Sequence, residues 1–350
     1  MDFLNNTLYR EDVDSSCKNI QGIQKLYETR IFITGATGLV GSFLVDILRH
    51  LNKEYKTHIQ IYAVSRKIEK LEARFGKQDS YLKYVVGDIC DNLDFDTPVD
   101  YVIHAAANSY PALFREDPTG TIIKSVEGTR RVLEISKKCG VKKFLFVSSG
   151  EVYGQYKTDE VGHRENENGV VDILSLRSCY PLGKQIAENL CICYGEQYHL
   201  PIVIARLCHT FGPNALDSDN RAHMQFIRSA ALNNNVVLKS EGLQERSYLY
   251  IADSASAIFS VLLCGEVNQA YNVSSLEKLT IRKFAKICAT LSKKNVYMQL
   301  PTNEEYMERS PIERQILDGS RLRALGWNAN FSIKKGISHS IEILKDIGKV

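Results

Sequence analysis

The chain has 350 residues, 44% hydrophobic and 24% charged, with a formal net charge of +3, enough for one large α/β domain and a smaller lobe. So small a charge, with both signs mixed and no Lys/Arg block, argues against a nucleic-acid partner, and no apolar run approaches the ~20 residues of a membrane span. Nine cysteines, an odd number with no C-x-x-C pair, read as reduced thiols in a cytoplasmic protein.

Taken in order, residues 1–29 form an N-terminal extension with no apolar signal-peptide core and with amphipathic helical character around Ile20, Ile23, Leu26 and Tyr27. Regular alternation starts with a short apolar strand at Arg30–Thr34, which stops at glycine as a buried parallel strand should. A helix follows over Val40–Leu51, then strands at Ile59–Val64, Tyr84–Val86 and Tyr101–His104. A long helix spans Thr121–Cys139, a strand Lys143–Ser148, a helix about Pro181–Tyr198, and a strand Pro201–Arg206. Strands alternating with helices at this spacing predict an α/β fold with a doubly wound parallel sheet. After Phe211 the rhythm loosens, and about 207–245 with 265–350 read as a smaller mixed lobe interleaved with the first. Residues 30–206 plus about 246–264 make up the main domain.

The first strand runs into Gly35-Ala-Thr37-Gly38-Leu39-Val40-Gly41 and then a helix. Glycines at this spacing let the backbone approach a pyrophosphate, and the helix start offers it free N–H groups. The loop therefore predicts a dinucleotide. The second strand ends in Ser65-Arg66-Lys67, with no carboxylate to hold an adenosine 2′-hydroxyl. An arginine there suits a 2′-phosphate, so the sequence favours NADP over NAD. Asp88 sits where a loop can reach the adenine.

Tyr180 and Lys184 are four residues apart, on one face of a helix, so the ammonium is expected near the phenol and to lower its pKa. Tyr153 and Lys157 repeat the spacing, but Tyr153 lies in a glycine-containing turn while Tyr180 opens a long helix. Ser148 and Ser149 stand at the carboxyl end of a strand, where hydroxyls face the ligand crevice. The eight histidines lack ligand spacing, so no metal is expected. His104, at a strand end, reads as a core or crevice residue.

The glycine loop, Ser148–Gly154, Tyr180 with Lys184, and His209-Thr-Phe-Gly-Pro213 fall in the order and spacing of the NAD-dependent epimerase/dehydratase family, which the chain resembles from about Ile31 to Trp327. Glu151-Val-Tyr-Gly154 and Arg177-Ser-Cys-Tyr180 resemble most the branch of UDP-glucuronate decarboxylases and dTDP-glucose 4,6-dehydratases. The resemblance implies a Rossmann fold, a nucleotide-diphosphate sugar as substrate, and a homodimer paired through two long helices per subunit. It implies a triad of Ser149, Tyr180 and Lys184, with Glu151 beside it. It adds Ile89, Ala105 and Ala106 to the cofactor crevice, and assigns His209, Asn214, Arg246 and Arg314 to the substrate, held by the smaller lobe.

Three departures from that family's pattern are informative. Gly150 stands where dehydratases carry an aspartic acid and decarboxylases a serine, which disfavours dehydration, speaks against a decarboxylase and suits a 4-epimerase. His209 replaces an asparagine, and Ser125 another in the helix before Gly128. The sequence reading ranks a 4-epimerase first, followed by a UDP-glucuronate decarboxylase, a 4,6-dehydratase and a one-way 4-dehydrogenase. A non-catalytic NADP-binding protein is the competing class, opposed by retention of all three triad residues.

Overall fold

The computed structural model describes residues 2–91, 93–107, 111–155, 162–299, 301–302, 310 and 312–348. Its centre is a seven-stranded, all-parallel sheet in the order β10-β6-β5-β4-β1-β2-β3. The strands are β1 (Arg30–Thr34), β2 (Gln60–Ser65), β3 (Leu82–Val86), β4 (Tyr101–His104), β5 (Lys143–Ser149), β6 (Ile202–Leu207) and β10 (Gln269–Val273). Near-continuous burial along β1, β4 and β5 matches a sheet covered on both faces. Strand order reverses between β1 and β4, which opens a crevice above their carboxyl ends.

The helices that cover the sheet follow the predicted ones to within a few residues. These are α2 (Leu39–Tyr55), α5 (Pro118–Cys139) and α6 (Cys179–Tyr198); α8 (Ile251–Cys264) and the shorter α3 (Ile68–Phe75) and α4 (Pro111–Glu116) join them without a predicted counterpart. Ser125, the residue without an explained substitute, back-bonds to the Thr121 carbonyl at 2.9 Å and sits against Gly183. A Cβ on Gly183 would come within 3.1 Å of the Ser125 Cβ, so two small residues let α5 and α6 approach closely.

The N-terminal segment differs from its sequence reading. Its helix is α1 (Thr7–Asn19), capped by the Asn6 side chain on the Tyr9 amide. Ile23–Leu26 forms only a 3-10 turn, because Gly22 in the left-handed region interrupts the chain. Phe3, Tyr9, Val13 and Cys17 are buried in the main core. Asp12 accepts a hydrogen bond from Tyr250 at 2.7 Å and pairs with His339. The segment is thus packed between the sheet's helices and the C-terminal helix Ile333–Asp346.

The loosened stretch forms α7 (Ala222–Ala231), α9 (Ile281–Leu291) and small sheets. β9 (Glu245–Tyr250) pairs with β7 (His209–Phe211), β11 (Lys278–Thr280) and β13 (Arg314–Gln315), while β8 (Val236–Leu238) pairs with β12 (Val296–Met298). Among the described residues no helix is long and apolar enough to cross a membrane. The nine cysteines are free thiols.

Candidate active site

The crevice at the strand-order switch holds a cavity of about 310 Å³. Gly35, Thr37, Gly38, Leu39, Val40 and Gly41 line it where β1 turns into α2. Gly35 has φ +67°, and a Cβ there would lie 2.8 Å from the backbone of Ala106; a Cβ on Gly41 would overlap the Gly35 carbonyl at 2.2 Å. Only glycine permits this approach of backbone to backbone, and the turn leaves the α2 N-terminus facing the cavity. Arg66, Asp88 and Ile89 line one end, and Ala105 and Ala106 the wall after β4. Asp88 also caps its own turn, accepting from the Cys90 amide at 3.0 Å. Beneath the loop, His104 bridges Thr34 at 2.7 Å and Thr129 at 3.2 Å, and burial pushes its pKa down to about 3. It is a neutral core connector. The cradle fits a dinucleotide: its glycines remove the side chains that would fill the pyrophosphate position, and the helix start supplies the donors.

Ser149, Tyr180 and Lys184 reach the cavity's other end together, with Ser148. Tyr180 hydrogen-bonds Ser149 and stacks on Phe114 of α4, ring centroids 4.8 Å apart. The Arg177 guanidinium covers Phe114 at 4.6 Å and pairs with Glu151 at 2.9 Å. Lys184, buried, donates to the Val147 carbonyl at 2.8 Å. Tyr153, the rival tyrosine, donates to Asn272 at 2.7 Å within the core; Lys157 lies outside the described residues.

The electrostatics correct one expectation. Burial, helped by the Glu151 charge, pushes Tyr180 up to about 12, against Ser149, Arg221 and Arg177. Lys184 does not set the phenol's proton affinity in this arrangement, because its ammonium is aimed at a carbonyl. Burial lowers Lys184 itself to about 8, with Glu188 opposing.

The residues assigned to substrate are not brought to the cavity wall. Asn214 is buried and donates to the Leu39 carbonyl at 2.7 Å and to Ser42 at 2.9 Å, tying the smaller lobe to the first turn of α2. Arg246 is satisfied on the carbonyls of Glu245, Ile312 and Glu313, since β9 carries it back toward the chain before β13. Arg314 pairs with Glu245 at 3.0 Å across the β9–β13 register. His209 lies half-buried against Tyr248 and His223. Burial, then Arg246, His223, Arg221 and Arg177, hold its pKa well below the usual histidine value. Glu151 acts on Tyr180 through its charge without lining the cavity.

Several lining residues escaped the sequence reading. Lys70 of α3 lines the cavity with Arg66; no spacing marks the pair, because Arg66 precedes the helix. Lys124, Asp219 and Arg221 also line the cavity, and Arg221 pairs with Asp219 at 2.6 Å. No local motif marks them, because they arrive from α5 and from the loop before α7. Leu317 escaped notice too: a Cβ on Gly150 would meet its Cδ1 at 2.9 Å and Cδ2 at 3.0 Å.

A glycine cradle at the switch point, with a tyrosine, a lysine and a serine facing it, defines a dinucleotide-dependent α/β enzyme. The family model described as the NAD dependent epimerase/dehydratase family matches residues 31–274, and the chain belongs to that family. UDP-glucuronic acid decarboxylase 6 of Arabidopsis thaliana is 29% identical over 310 residues, covering 88% of this chain and 86% of its own. dTDP-D-glucose 4,6-dehydratase of Bos taurus is 27% identical over 333 residues, covering 90% of this chain and 88% of its own. The crystal structure of DesIV, a dTDP-glucose 4,6-dehydratase from Streptomyces venezuelae with NAD bound, matches with a TM-score of 0.78 at 22% identity, over 91% of this chain and 97% of that one. The chain is an enzyme of nucleotide-sugar chemistry, in a family that works with a nicotinamide dinucleotide. Neither sequence relative is named an epimerase, so the ranking that put a 4-epimerase first gives way to the decarboxylase and dehydratase alternatives.

Proposed function

We propose that the chain decarboxylates a nucleotide-linked uronic acid after oxidation at C4. The observation that carries this reading is the similarity to a UDP-glucuronic acid decarboxylase over 88% of the chain, and the closed seat at Gly150 bears on its dehydratase rival. With Leu317 filling the direction a side chain would take, no acid stands between Ser149 and Glu151 to help expel a hydroxyl. Loss of such a group typically forfeits a factor of about 10²–10⁴, which disfavours the 4,6-dehydratase. Decarboxylation needs no acid there, and the similarity to the plant decarboxylase favours it over epimerisation.

The α2 cradle would hold a dinucleotide whose nicotinamide would supply the hydride acceptor and donor for C4, and whose positive charge would favour the Tyr180 phenolate. Tyr180 takes the 4-hydroxyl proton, with Ser149 sharing the hydrogen bond. The C4 ketone makes the sugar a β-keto acid. Its C5–C6 bond breaks with loss of CO₂, and the electron pair moves to the C4 oxygen as an enolate, where Tyr180 and Ser149 donate hydrogen bonds. Protonation at C5 and hydride return complete the pentose. Glu151, neutralised by Arg177, lies close enough to act on Tyr180 and orders the sugar side.

On the cofactor, Arg66 just after β2 and Lys70 of α3, both lining the cavity, favour a 2′-phosphate, hence NADP. The lobes are proposed to divide the labour, the main one for the dinucleotide and the smaller one for the nucleotide sugar, with two corrections to their bounds: β10 (Gln269–Val273) completes the main sheet, and β9 (Glu245–Tyr250) belongs to the smaller lobe's sheet.

The test is a mass and NMR readout of purified enzyme with UDP-glucuronate, dTDP-glucose and UDP-glucose, run with NAD and with NADP. Loss of carbon dioxide from UDP-glucuronate alone is the expected result. Loss of water from dTDP-glucose, or an isomer of unchanged mass, would replace this reading with the dehydratase or the epimerase.

A further inference from the structure

Tyr180, Lys184 and Glu188 follow one another at i, i+4 and i+8 along α6, a single stripe facing the end of β5. Each meets one of three consecutive strand residues: Ser149 bonds Tyr180, the Val147 carbonyl accepts from Lys184, and Ser148 donates to Glu188. Glu188 is only 7% exposed. Arg206 of β6 also grips its carboxylate, Nη2 to Oε2 at 2.7 Å and Nε to Oε1 at 3.0 Å. Behind it, Arg206 donates to Tyr153 and to the Glu165 carbonyl, both at 2.9 Å. The carboxylate is therefore locked in place, one helical turn from the Lys184 ammonium in a region closed to water.

We propose that Glu188 is a positioning residue, which fixes the end of β5 through Ser148 and keeps the Lys184 ammonium charged in the buried site. This rests on the reading that Lys184 serves the dinucleotide site. The groups around Lys184 are Tyr180, Glu188 and Cys191 on α6, His104 of β4, and Arg206 of β6 behind Glu188. Burial keeps Tyr180 and Cys191 protonated and His104 neutral near pH 7, leaving Glu188 as the anion that supports the ammonium. Lys184 loses its charge as pH rises through about 8. Removing the Glu188 charge moves that loss to lower pH, so the lysine becomes largely neutral where the wild type is charged.

The experiment follows the ¹³Cε signal of Lys184 in lysine-labelled full-length protein, assigned with Lys184→Arg, across a pH titration. In Glu188→Gln the titration midpoint is expected to fall by about one pH unit or more, the effect of losing one close opposite charge. A merely structural loosening would admit water and move the midpoint up, toward an ordinary lysine. An unchanged or raised midpoint in folded Glu188→Gln overturns the proposal. Should that variant prove too unstable to purify, Glu188→Met, uncharged and of similar length with Arg206 kept, carries the same downward expectation and the same refutation. The readout does not depend on the substrate, so a shift in a protein inactive on UDP-glucuronate would leave this inference standing and sink only the decarboxylase reading.

Discussion

At the scale of single residues, position 150 shows how a missing side chain is enforced from a distance. Leu317 is buried, its amide donates to Ser247 at 3.2 Å, and Gly162 packs against its backbone, so it has nowhere to retreat. Gly150→Ser should therefore destabilise by about 1–3 kcal/mol through overpacking, and Leu317→Ala by about 2–5 kcal/mol through the cavity it leaves. The double variant should cost less than the sum, since each change relieves the other. Urea unfolding of the four proteins measures this; strict additivity would mean the two positions do not share space. The residue scale also separates what the sequence shows from what it hides. Gly35 and Gly41, and Tyr180 with Lys184, are legible because their geometry is set by neighbours a few positions away. The Leu317 seat, Asp219 and Arg221 before α7, and the carbonyl that takes the Lys184 ammonium depend on contacts between distant segments, which no local spacing encodes.

At the scale of elements, the first six strands of the parallel sheet and its helices α2, α5 and α6 were legible as apolar runs, while β10 and α8 were missed because they return to the sheet after the chain has built part of the smaller lobe. The N-terminal helix was misplaced because α1 is held by polar contacts as much as by an apolar stripe. Tyr9 donates to Asp46 of α2 at 2.7 Å, and Arg74 of α3 bonds the same carboxylate while lying 4.7 Å over Phe3 and 4.8 Å over Phe75. Asp46 is fully buried. Arg74→Met should destabilise the protein by about 3–5 kcal/mol, because it strips a buried carboxylate of its main counter-charge. Adding Asp46→Asn should recover part of that loss. Thermal unfolding by circular dichroism checks both, and an Arg74→Met protein as stable as the wild type would show that α1 and α3 are not joined through this pair.

At the scale of the whole molecule, the long helices α5 and α6 expose Ile123 and Ile186, about half of each side chain open to solvent, and the resemblance assigns these helices to a dimer. Ile186→Glu is accordingly expected to shift the mass seen by light scattering from dimer to monomer without lowering the unfolding temperature. A monomeric wild type would end the dimer reading. The Asn214 amide, which clasps Leu39 and Ser42, has a consequence at this scale as well. It makes the first turn of the helix under the dinucleotide part of the grip between the two lobes. Swinging the smaller lobe away then disturbs the turn that holds the phosphates, while a dinucleotide seated on that turn steadies the lobe in return. Cutting the Asn214 clasp would then be expected to speed the loss of the dinucleotide. The dinucleotide would act less as a reagent drawn from solution than as a long-term tenant, handed on from one turnover to the next.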